Sequence, residues 1–125
     1  MDWRYDNTDS SFTLAIGPFI VARGILLTDI TEATYMVKEA TTDADVDALV
    51  TLTLGAGLTS VAGATEADAT LAVEFSNGDY GTGALEAAGA LYHTGLGIKI
   101  AGMTKFLEIG LDDNRLKIVP DFIHD

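Results

Sequence analysis

The chain contains no cysteine, which excludes both a disulfide framework and a thiolate metal site. Only two of its 125 residues are proline, whereas 13 are glycine, a balance that suits many tight turns rather than a disordered linker. Cations are scarce: 7 Lys and Arg stand against 19 Asp and Glu, for a net charge of -12. Nucleic-acid recognition needs clustered Lys and Arg to displace counterions from phosphates, so a surface this acidic repels DNA and RNA. Anionic membrane surfaces are disfavoured for the same reason, and no apolar run is long enough to span a bilayer. The first residues, Met1-Asp2-Trp3-Arg4-Tyr5-Asp6, are acidic and polar where a signal peptide would be basic and then apolar. The expected location is a cytosol, or a particle assembled there.

What is present is apolar content of 48%, enough for the modest core of one domain. Residues 1–11 are polar and without period, and read as an N-terminal arm. Large aromatics are uncommon in disordered tails, so Trp3 and Tyr5 are candidates either for covering one end of the core or for contacting a neighbouring subunit.

From Phe12 onward, apolar and polar residues alternate with the period of a half-buried strand. Phe12, Leu14 and Ile16 share a face before Gly17-Pro18 interrupts, and a second strand is expected from near Phe19 to Arg23-Gly24. Further alternating runs carry Tyr35 and Val37; Val50, Leu52 and Leu54; Leu71, Val73 and Phe75. In the run from Leu91 to Ile100, Tyr92, Thr94, Leu96, Ile98 and Ile100 oppose Leu91, His93, Gly95, Gly97 and Lys99. Leu107, Ile109 and Leu111 follow, then Leu116 and Ile118 before Pro120. The spacing predicts seven or eight strands, with Tyr35, Val37, Val50, Leu52, Leu54, Leu71, Val73, Phe75, Ile98 and Ile100 in the core. Turns are expected at Gly55-Ala56-Gly57, Asn77-Gly78-Asp79, Ala101-Gly102 and Asp112-Asp113-Asn114, the last as a hairpin because Asp and Asn tolerate positive φ. Helix is expected at most as short pieces at Asp43–Leu49 and Leu85–Ala90. Many short strands with regular turns define an all-β domain, a sandwich or a small barrel.

The order of segments is similar to a known family. Thr28-Asp29-Ile30-Thr31-Glu32-Ala33-Thr34 leads into Tyr35-Met36-Val37-Lys38; the acidic stretch Asp43 to Val50 follows, then Leu52-Thr53-Leu54-Gly55. Ala90-Leu91-Tyr92-His93 opens a late strand, Lys105 to Gly110 makes the next, and Leu116-Lys117-Ile118-Val119-Pro120-Asp121 closes the series. Over residues 12–121 this resembles the immunoglobulin-like domain of phage baseplate upper proteins and small tail-module relatives. Glu32 stands where that family usually has Gly, and Ala90-Leu91 where it has Gly-Thr. The resemblance implies an immunoglobulin-like antiparallel β-sandwich over residues 12–125, preceded by the 1–11 arm. It also implies a non-enzymatic virion structural protein, an adaptor linking receptor-binding or fibre proteins to the tail or baseplate. The partners would be other virion proteins and copies of itself in a symmetric particle assembled in the host cytoplasm, with Trp3 and Tyr5 at the interface. A capsid decoration or head-fibre role on the same fold is the alternative.

No catalytic, cofactor or metal site is expected. Asp43, Asp45 and Asp47 have the spacing that opens a calcium loop, but the sixth and twelfth positions hold Ala48 and Leu54 where an EF-hand needs Gly and Glu; the stretch reads as a solvated turn. His93 and His124 are the only histidines, and neither is placed with one of the four serines (Ser10, Ser11, Ser60, Ser76) to suggest a nucleophile and base. Gly81-Thr82-Gly83 and Gly95-Leu96-Gly97 lack the Lys-Ser/Thr or strand–helix context of a phosphate loop and read as turns or bulges. A carbohydrate-binding module would expose aromatics on one sheet face or loop end, and the alternation leaves only Trp3, Tyr5 and Tyr80 free.

Overall fold

The computed structural model describes residues 2–5, 10–75, 91–110 and 115–120. Within them the protein is all-β, with nine strands: β1 (Asp2–Tyr5), β2 (Ser10–Ala15), β3 (Ile30–Lys38), β4 (Val50–Leu54), β5 (Gly57–Val61), β6 (Thr70–Phe75), β7 (Leu91–Ile100), β8 (Leu107–Ile109) and β9 (Arg115–Pro120). They form one mixed sheet in the order β1-β9-β7-β3-β4-β5-β6-β2, with β8 also on β7. Two pairs, β1 with β9 and β4 with β5, are parallel, so the sheet is not the purely antiparallel one expected. Residues 2–5 of the segment read as an arm are the strand at one end of this order, with Trp3 opposite Ile118 and Tyr5 opposite Pro120.

The sheet curls back on itself. Phe12 of β2 stands edge-on to Tyr35 of β3 at 6.1 Å, although three strands separate them in the sheet order. Phe75 of β6 completes the trio, 5.9 Å from Phe12 and 6.2 Å from Tyr35. Such contacts require β5, β6 and β2 to face β4, β3 and β7 across one core.

The curl turns at Gly55 and Gly57. Both have positive φ, 82° and 102°, a region that costs other residues steric strain. Between them the Thr53 N–H donates to the Ala56 carbonyl (3.1 Å) and the Gly55 N–H to the Leu58 carbonyl (3.0 Å). Parallel neighbours ordinarily need a long crossover; here a tight loop sets Thr53 beside Gly57 and carries the chain from one leaf to the other.

Alternation placed the core well. Tyr35, Val37, Val50, Leu52, Leu71, Val73, Phe75 and Ile98 are buried, while Leu54 and Ile100 are partly buried against the same cluster. One expectation changes. Residues 17–22 form a short helix, α1 (Gly17–Ala22), rather than a strand. Pro18 sits in its first turn, where the missing N–H costs nothing and the fixed φ suits a helix, and Ile20 is driven into the core with 0% exposure. Strand β5 is present although its sequence barely alternates, because only Leu58 among its residues is buried. Among the described residues, β8 and β9 lie along successive stretches of β7. Of the two helical pieces expected, Asp45–Asp47 is one 3-10 turn. Leu85–Ala90, Asn77-Gly78-Asp79, Tyr80, Ser76, Asp113-Asn114 and His124 lie outside the described residues.

Candidate functional site

A groove of about 390 Å³ opens on the outer face of β3 and β7. Its floor follows from period two. Thr34, Met36 and Lys38 project from β3 opposite Gly97, Gly95 and His93 of β7, so two neighbouring floor positions carry no side chain. Gly97 is explained by packing: a Cβ there would lie 2.9 Å from Phe106 Cβ. Gly95 has no such reason, since a Cβ would find nothing within 4 Å. Each glycine weakens a strand interior by roughly 0.5–1 kcal/mol relative to Ala, and the pair sits mid-strand in unbroken register with β3. The expected turn or bulge at Gly95-Leu96-Gly97 is thus a regular strand with a bare outer face.

Phe106 forms one wall, 42% exposed, with the Lys99 ammonium 4.3 Å from its ring centre. Lys99 also approaches Glu32 (3.6 Å), its cross-strand neighbour. The far end is polar. Lys38 reaches past the end of the sheet and donates to Asp45 Oδ1 at 2.8 Å and to the Asp43 carbonyl at 3.0 Å. Its side chain is only 18% exposed while that of Asp45 is 76% exposed, so the bond is charge-assisted and only partly screened. His93, half-buried, with Thr41, Thr94 and Glu108 completes the lining.

The acidic stretch is thereby accounted for. Asp43 Oδ2 accepts the Ala40 N–H at 3.1 Å and Asp45 takes Lys38, which commits two of the three carboxylates to holding the loop. Among the described residues no three His, Asp or Glu side chains gather into a metal-holding group. Calcium titrated into the protein is expected to give no saturable heat; a micromolar site that disappears in Asp45→Ala would contradict this.

Of the residues singled out from sequence, the structure brings His93 into the groove and leaves Ser11 and Ser60 exposed, outside its lining. Trp3 and Tyr5 lie in β1 at the end of the strand order. Phe106 was missed because it falls in the irregular stretch between β7 and β8, where alternation carries no information. The signal that could have found the site is Gly95 and Gly97 in one phase of an otherwise well-filled strand. Among the described residues no helix is long and apolar enough to cross a membrane. Compared with family models, curated proteins and solved structures, the chain matches none.

Proposed function

We propose that this protein is a non-enzymatic virion structural protein of a phage, an adaptor in the tail or baseplate that joins fibre or receptor-binding proteins to the particle. The curled sheet around a single core belongs, in this reading, to an immunoglobulin-like sandwich, as the segment order resembling baseplate upper proteins implies. Capsid decoration or a head fibre is the alternative position for the same domain.

The observation that carries the reading is the placement of the two N-terminal aromatics. Trp3 and Tyr5 sit in β1, which has β9 as its only strand neighbour among the described residues. An end strand offers backbone groups that a neighbouring chain can complete, and aromatic residues are the anchors that dominate interface energies. The opposite end strand, β2, reads Ser-Ser-Phe-Thr-Leu-Ala and carries none of the charges or prolines that usually guard a sheet edge. A net charge of -12 keeps free copies apart until a complementary surface recruits them.

The test leaves the β1 backbone intact. A Trp3→Ala/Tyr5→Ala double variant is expected to melt within a few degrees of the wild type yet to fall at least about tenfold in occupancy when purified particles are quantified by mass spectrometry. Wild-type occupancy would remove these residues from the interface. Absence of the wild-type protein from particles would overturn the virion reading itself.

A further inference from the structure

We infer that the groove over Gly95 is a binding site for a neutral pyranose sugar, as a monosaccharide or the terminal unit of a short glycan. This goes beyond the structural role proposed above and does not depend on it. A glycine inside a strand often marks a bulge, a tight bend, or a place where a ligand or another backbone approaches closely; at Gly95 the register with β3 is regular and nothing lies within 4 Å of where a Cβ would be, which leaves the ligand. Its φ is not among the positive ones, so the backbone conformation did not require glycine either.

The lining matches the two-sided chemistry of a pyranose, an apolar C–H face edged by hydroxyl groups. Gly95, Gly97, Met36 and Phe106 supply the apolar patch. Around it stand donors and acceptors of both kinds: the one Lys38 ammonium hydrogen beyond those given to Asp45 and Asp43, the His93 ring, threonine hydroxyls, and the Asp45 and Glu108 carboxylates. A few placed polar groups beside an apolar surface are the usual composition of a small-molecule site, and 390 Å³ falls at the small end of the size such sites take.

Other ligand classes fit less well. An anion would meet Asp45 and Glu108 with Lys38 already engaged by Asp45. An extended peptide would need free backbone groups, yet β3 is paired on both sides, by β4 and β7, and β7 by β3 on one side and by β8 and β9 on the other. Strand addition is therefore closed at the floor, leaving only contacts through side chains.

The experiment is a ¹H–¹⁵N NMR titration of the full chain with methyl glycosides of glucose, galactose, mannose, rhamnose and N-acetylglucosamine, and with one neutral disaccharide. At least one should move the amide signals of His93, Gly95, Gly97, Met36 and Lys38 together and saturably. Gly95→Val puts into the groove a residue that favours a strand and whose Cβ has no atom within 4 Å; it should keep or raise the melting temperature while weakening that binding at least about tenfold. Phe106→Ala, at an exposed wall, should weaken it without unfolding the domain. The inference is overturned if no glycoside moves these signals, or if Gly95→Val binds as well as the wild type. It is equally overturned if the signals respond only to the peptide acetyl-Arg-Trp-Arg-amide, which would assign the groove to protein docking.

Discussion

Phe75→Ala is expected to cost about 4 kcal/mol, near the middle of the range for deleting a buried aromatic ring. Phe75 is fully enclosed at 0% exposure, and its ring touches Phe12 and Tyr35, which come from two other strands on both leaves of the curled sheet. Removing it leaves a hole that neither leaf can fill alone, because closing it on one side opens it on the other. Domains of this size are stable by roughly 5–15 kcal/mol, so the variant should stay largely folded at room temperature but melt about 15 °C lower. Phe75→Leu keeps most of the volume and should lose less than half as much. Urea unfolding followed by circular dichroism measures both, and equal midpoints for the two variants would show that the trio is not where the leaves are joined.

Gly17→Ala should be nearly as damaging, and its sign opposes local propensity. Alanine favours a helix over glycine by about 1 kcal/mol, so an isolated α1 would gain from the change. In the folded protein a Cβ at residue 17 would stand 2.0 Å from the Ala67 carbonyl oxygen and 2.8 Å from that of Glu66. Both neighbours are backbone, in the 3-10 turn Glu66–Asp68, and cannot rotate away. The junction is also pinned. The Ile16 and Gly17 N–H groups both donate to the Ala69 carbonyl, at 3.2 and 3.0 Å, and the Leu27 N–H donates to Glu66 Oε2 at 2.9 Å. Relieving the clash must lengthen these bonds and lift Ile16 and Ile20, each at 0% exposure, from the core. Overpacking of this kind costs about 3 kcal/mol. A thermal melt showing Gly17→Ala at or above wild-type stability would mean that the helix and the turn are not held in contact.

The class of the fold and most of its core were determined by the sequence alone. Tyr35, Val37, Val50, Leu52, Leu71, Val73 and Phe75 are recognisable because a strand turns successive side chains to opposite faces, and burial on one face imposes an alternation that survives in a single sequence. The expectation that the protein does not bind nucleic acid rests on net charge, which needs no coordinates. Period two says nothing, however, about which strand lies beside which. The tertiary structure alone decided that the leaves meet through Phe12, Tyr35 and Phe75, that β8 and β9 share the edge of β7, and that Phe19–Val21 coils into a helix rather than extending. A short apolar run after Gly-Pro satisfies either conformation locally, and the Gly17 contact with the 66–69 turn selects one. The groove was hidden for the same reason. Gly95 and Gly97 were visible, as was their phase, but their meaning depends on Met36 from 59 residues earlier and on Phe106 folding back over one glycine and not the other. Contacts between residues far apart in the chain leave no local period, and in this protein they separate the glycine that packing requires from the one that leaves a space.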